Sequence, residues 1–178
     1  MKKGFLKKAL LIITLLLLTG NIFGQKQRIQ DLDFLIGEWK VREDNKEKNW
    51  WEKSTRIGRY ILDSTYIELK SVAISSGGKE RTYRWYFHYN SKTQQFEMVS
   101  LFSNWHQVLF DILLWDSEKR KLTIRNGEEP NSSEYHERFG EILFDENFNG
   151  YLWKGENKYG DPNNPSVWKY VEKGSRIK

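Results

Sequence analysis

A chain of 178 residues supplies one hydrophobic core rather than two. Aromatic side chains make up 15% of it (eight Trp, nine Tyr and ten Phe), which excludes an intrinsically disordered chain. The absence of cysteine excludes disulfides, thiolate nucleophiles, zinc–cysteine centres and iron–sulfur clusters together.

The first 24 residues read as an address. Lys2, Lys3, Lys7 and Lys8 form a positive head, Ala9 to Leu18 is an apolar run broken only by Thr14, and Ile22-Phe23-Gly24 ends on a small residue suited to cleavage before Gln25. The run is shorter than the about 20 residues a membrane-spanning helix needs. The expected organisation is a signal peptide over residues 1–24 and a single domain over residues 25–178, exported and then periplasmic or secreted, with no membrane span. The leader holds four of the 29 basic residues and none of the 24 acidic ones, so the remainder stands at 25 against 24, a net charge of +1. That balance, with Lys119-Arg120-Lys121 as the longest basic cluster, argues against nucleic acid as a partner.

Gln27 to Ile36 is the one stretch with a helical character, a short turn packing Ile29, Leu32 and Leu35. From there on the period is two, the mark of half-buried strands. Strands are expected at 37–43, 49–56, 60–71, 80–89, 95–103, 107–115, 120–126, 133–140, 141–145 with 150–156, and 166–173. The clearest pair sets Tyr83, Trp85, Phe87 and Tyr89 on one face of a strand and Phe96, Met98, Ser100 and Phe102 on one face of the next. Asn90-Ser91-Lys92-Thr93-Gln94 supplies the turn between them. Pairing Tyr89 with Phe96 and Phe87 with Met98 gathers the rings on a single face, and a slip of one residue scatters them. Hairpin-length connections throughout, with no long crossings, point to an all-β fold, an antiparallel up-and-down barrel of about eight to ten strands that leaves no edge exposed.

Asp33-Phe34-Leu35-Ile36-Gly37-Glu38-Trp39-Lys40-Val41 resembles the opening of a lipocalin-like (calycin-type) barrel, in which a helical turn leads into Gly-x-Trp on the first strand. There Gly37 would allow close backbone approach and Trp39 would plug the floor. The chain beyond the leader is similar to exported bacterial lipocalin-like families known only as domains of unknown function. The resemblance implies the fold and no activity. Nitrobindin-like barrels, a more distant branch, hold haem through a histidine late in the chain. Here the last histidine is His136 and Ser166 to Lys173 contains none, so no haem or other cofactor is expected.

Candidate chemistry is sparse. His88 sits beside Glu97, while His106 lies in the next turn roughly 20 Å away along the strands, too far to share a metal ion. With His136 they read as exposed strand histidines, so no metal site is expected. Most carboxylates follow the solvated alternation. Asp111, inside Val108-Leu109-Phe110-Asp111-Ile112-Leu113-Leu114, is the exception: it either faces outward, the ordinary place for a charge, or is buried with a partner. No catalytic residue stands out, since there is no Gly-x-Ser-x-Gly elbow and Ser75-Ser76-Gly77-Gly78 reads as a hairpin loop. Adjacent Trp50 and Trp51 must point to opposite faces. The expected function is binding of a small apolar or amphipathic molecule by a wall of Trp39, Tyr83, Trp85, Phe87, Met98 and Phe110. Asp111 (if inward) and Arg84 or Tyr86 at a rim would orient it. The alternatives are a filled barrel that contacts another envelope protein or a glycan, and an enzyme working in the barrel mouth.

Overall fold

The computed structural model describes residues 28–127 and 135–177; the expected leader lies outside them. A 3-10 helix, Ile29–Leu35, opens the described chain and buries Ile29, Leu32 and Leu35. Ten strands follow: β1 Gly37–Asn45, β2 Trp50–Ile61, β3 Tyr66–Ser75, β4 Glu80–Asn90, β5 Gln95–Phe102, β6 Leu109–Asp116, β7 Lys121–Asn126, β8 Tyr135–Phe144, β9 Gly150–Asp161 and β10 Asn164–Arg176. Each pairs antiparallel with its neighbours in sequence, and β10 pairs with β1 to close the barrel. Among the described residues no helix is long and apolar enough to cross a membrane.

The β4–β5 register is the expected one, with Tyr89 opposite Phe96, Phe87 opposite Met98 and Tyr83 opposite Phe102. Trp85, Phe87, Phe96 and Met98 are all buried. The turns share a device. An Asn or Asp at the strand end accepts backbone N–H groups from the turn: Asn45 from Lys48, Asn90 from Lys92 and Thr93, Asp116 from Lys119, Asp145 from Asn147 and Asn149. In each, the residue that leaves the turn or precedes its end (Asn49, Gln94, Arg120, Phe148) adopts a positive φ.

Several strand boundaries differ from those expected, and β2 runs on to Ile61. β3 begins at Tyr66, because Leu62, Asp63 and Ser64 form a turn with φ of 49°, 53° and 63°; Leu62, 68% exposed, has the look of a strand residue and conceals it. The segments 133–140 and 141–145 are one strand, β8, running through Gly140. β9 and β10 extend to a tight turn at 162–163, where Asp161 accepts the N–H of Asn163.

The two ends of the barrel are unlike. The end where β1 begins is sealed by the 3-10 helix, whose Phe34 ring lies 4.5 Å from Trp115, 4.5 Å from Phe144 and 5.0 Å from Phe148. Arg176 at the end of β10 fastens this seal. Its guanidinium donates to the carbonyls of Phe34, Ile36 and Phe148 and stacks 4.4 Å from the ring of Trp39. Gly37 has φ +123°, and a Cβ there would lie 2.4 Å from Arg176 Nη1; the glycine makes room for the clamp. Above the seal, Trp39, Ile67, Phe87, Phe96, Leu113 and Leu122 fill the interior at 0–3% exposure. A void there, beside Leu35, Leu69 and Phe87, measures about 20 Å³, space for little more than a water.

Candidate functional site

The other half of the barrel is hollow. A cavity of about 480 Å³ occupies the end where β1 finishes and β2 begins, within the size range of small-molecule sites. Five tryptophans line it, Trp50, Trp85, Trp105, Trp153 and Trp168. Inward positions on β2, β4, β9 and β10 put four of them there, with help from small neighbours, and the connection between β5 and β6 brings Trp105. Tyr170 lies against Gly155, where a Cβ would fall 2.2 Å from the ring, and Trp153 lies over Gly140, where a Cβ would fall 2.7 Å from its Nε1. At the mouth, Trp105 stands 5.7 Å from both His136 and Tyr159.

The deep wall of the cavity is charged. Glu43, on β1, pairs in register with Glu172 on β10 and with Glu52 on β2, so three carboxyl groups from adjacent strands turn into one chamber. Arg56 holds Glu172 through two parallel bonds of 2.8 Å and lies 4.4 Å over the ring of Trp85. Tyr151 adds a hydroxyl bond of 2.7 Å to the same carboxylate. Tyr83 donates to Glu52 at 2.9 Å, and Arg81 approaches it to 3.5 Å. On the far wall Arg138 donates to Asp111 at 2.8 Å and to the carbonyl of Phe110 at 2.9 Å.

Titration follows from this arrangement. Burial, with the charges of Glu172 and Glu52 added, pushes the Glu43 carboxyl up to about 8, so it is mostly protonated at neutral pH. Burial also raises Glu52, against the opposing bond from Tyr83. Burial works against the Arg56 charge, but Glu172 more than offsets it and the guanidinium is held firmly protonated. The phenols of Tyr151 and Tyr170 are pushed well above their ordinary range, chiefly by burial, and remain neutral.

Of the residues expected to form the wall, Tyr83, Trp85, Met98 and Asp111 line this cavity, whereas Trp39 and Phe87 belong to the filled half below it. Phe110 does not face inward. It alternates with Leu109 and Asp111 and packs on the outer side, its ring next to Gly127. Arg84 and Tyr86 are not at the rim either; they sit on the outer face, where both reach Glu68. Asp111 is turned inward at 2% exposure with Arg138 as partner, against the ordinary expectation for a charge. His136, expected to be exposed, lines the cavity, while His88 stacks on Tyr66 at 4.7 Å outside. Trp50 turns into the cavity 5.2 Å from Trp168, and Trp51 packs outside beneath Arg42 and Lys53. The inward carboxylates Glu43, Glu52 and Glu172 were not among the sequence candidates. Their only signal is that each shares the parity of an inward aromatic on its strand: Trp39, Trp50 and Tyr170.

In sequence the chain matches no protein-family profile and no curated protein. In structure it is similar to Rv2717c from M. tuberculosis, with a TM-score of 0.60 and 11% identity over 84% of this chain and 97% of that one. It is also similar to the S-type phycobiliprotein lyase CPES from Guillardia theta, with a TM-score of 0.56 and 10% identity over 86% of this chain and 94% of that one. At such identities the likeness is one of fold, a closed antiparallel up-and-down barrel, here of ten strands.

Proposed function

We propose that this protein is an exported binding protein for a small amphipathic molecule, a member of the lipocalin-like barrels whose cellular roles are undefined. The observation that carries the reading is the division of the barrel: one half is sealed and filled, and the other encloses about 480 Å³ behind an aromatic mouth. Tryptophan and tyrosine rings supply apolar area at roughly 25 cal/mol per Å² buried, and the carboxylates and guanidiniums deeper in fix the orientation of a polar end. The hollow half favours this reading over a filled barrel that acts only through its outer surface. The proposed ligand is an exchangeable molecule rather than haem: β10 carries no histidine, and the ring of His136 packs edge-on against Trp105 and Tyr159. Export rests on the leader-like composition of residues 1–24.

Native mass spectrometry of the protein purified from its own host tests the binding. A retained mass that is lost on Trp85→Ala is the expected result. A protein that emerges bare, and that binds nothing from an extract of host small molecules, overturns it.

A further inference from the structure

The charged groups around the chamber do not balance. Its lining contains four carboxyl groups, Glu43, Glu52, Asp111 and Glu172, and three arginines, Arg56, Arg81 and Arg138. Each arginine is already committed to a different carboxylate: Arg56 to Glu172, Arg81 to Glu52 and Arg138 to Asp111. Glu43 is left over. It accepts from the indole of Trp168, a neutral hydrogen-bond donor, and shares the nearby Arg56 charge with Glu172, which Arg56 grips directly. Two carboxylates face it in register, and the rings of Trp50 and Trp168 meet edge to face beside it. A second polar group in the same chamber is also unmet. Trp153 is 8% exposed, and its Nε1, over Gly140, has no hydrogen-bond acceptor.

Resting on the reading of this chamber as a ligand site, we propose that it is built for an amphipathic organic cation, an amine whose ammonium group lies against Glu43 beside the rings of Trp50 and Trp168. A cation beside Glu43 lets its carboxyl ionise and gives it the counter-charge that the other three carboxylates already have, and aromatic faces attract the cation further. A ligand carrying a hydrogen-bond acceptor would in addition answer Trp153. An anionic ligand would meet the carboxylates of Glu52 and Glu172 beside the Glu43 carboxyl, with the three guanidiniums already ion-paired, and is disfavoured.

Proton release is a direct signature. Glu43 is protonated near neutral pH when the site is empty, and an ammonium beside it favours the ionised form, so binding expels a proton from the carboxyl. The groups facing Glu43 are Glu52 and Arg56 on β2 and Glu172, Tyr170 and Trp168 on β10. Across the chamber stand Arg81, Tyr83, Asp111, His136 and Arg138. The experiment is run at pH 7.5, above the ordinary imidazole range and below the titration of Glu43.

Three probes on one scaffold make the test: 2-(2-naphthyloxy)ethylamine, 2-naphthyloxyacetate and 2-ethoxynaphthalene, titrated calorimetrically in two buffers of different ionisation enthalpy. The expected result is that the amine binds at least ~10-fold more tightly than either isostere, with buffer-dependent heat showing a proton released, and that Glu43→Gln removes both the advantage and the release. If the neutral probe binds and the amine binds no better, the cation assignment is overturned and the cavity reading stands. If the advantage persists in Glu43→Gln, the assignment to Glu43 is overturned. If none of the three binds, both readings fall. Because Glu43→Gln removes a crowded carboxyl without changing its shape, thermal unfolding of the variant verifies that the fold is kept.

Discussion

Glu43 stands directly opposite Glu172 across one strand boundary and directly opposite Glu52 across the other, and all three side chains point into the barrel. Like charges facing one another across a ladder are destabilising. Arg56, Arg81, Tyr83 and Tyr151 satisfy the outer two, and the middle one keeps its proton instead.

A stability profile against pH follows from that proton. The folded-state pKa of Glu43, about 8, lies above the ordinary glutamate value, so the native chain binds a proton that the unfolded chain gives up. Its contribution is fully present below about pH 4.5, and it is lost as pH rises through 8. Glu43→Gln, which cannot ionise, should be more stable than the parent at pH 9 by at least about 1 kcal/mol, or roughly 2–4 °C in Tm. At pH 5 the two should nearly coincide. Thermal unfolding at the two pH values checks it; an equal gap at both removes Glu43 as the cause.

Arg56 and Glu172 are both 5% exposed, so removing one partner strands a buried charge. Arg56→Met should cost about 3–5 kcal/mol in urea unfolding, and Arg56→Met combined with Glu172→Met should recover a large part of that loss. The outer pair Lys121–Glu141 has side chains 32% and 44% exposed, and Glu141→Ala should cost no more than about 1 kcal/mol.

The filled and hollow halves should separate stability from binding. Phe87→Ala, in the filled half at 3% exposure, should cost about 3–5 kcal/mol while leaving ligand retention at room temperature intact. Trp168→Ala, at the chamber wall, should weaken retention with the smaller loss of stability. Denaturant unfolding and native mass spectrometry on the two variants read both quantities. A reversed pattern would mean the guest sits elsewhere.

Arg176→Ala removes the guanidinium that holds the carbonyls of Phe34, Ile36 and Phe148. Hydrogen bonds to a charged donor contribute about 1.5–3 kcal/mol each at most, and they are not additive, so a loss of about 2–4 kcal/mol is expected. Amide exchange should speed up first at Ile36 and Phe148, around the seal, rather than in β4 and β5. Uniform acceleration would show that Arg176 acts on the whole barrel instead.

The β4–β5 hairpin was legible in sequence because its two faces differ sharply: rings at 83, 85, 87 and 89 alternate with Arg84, Tyr86 and His88, which leaves one possible register. The charged wall was not. On β1 the alternation is clear through Trp39 and Val41, but Arg42, Glu43, Asp44 and Asn45 are polar on both faces, and a period of two carries no signal when both phases are hydrophilic. Glu52 is hidden behind the Trp50-Trp51 pair, where either parity is plausible. Phe110 failed in the opposite sense. It lies in a strand apolar on both sides, so the larger ring looked like the inward one, and the smaller Leu109 and the charged Asp111 in fact took the interior. The inward aspartate depends on Arg138, 27 positions away in sequence, and no local pattern announces a partner at that distance.

The seam between β10 and β1 sets a timetable. Each of the other strands finds its mate across a hairpin almost as soon as both have been synthesised, but β1 must wait for Asn164–Arg176 before its second side is covered. Until then the nascent cylinder is an open ribbon with two sticky borders. Its slowest step should be the meeting of the earliest and latest ribbons, so a chain cut before β10 should polymerise edge to edge.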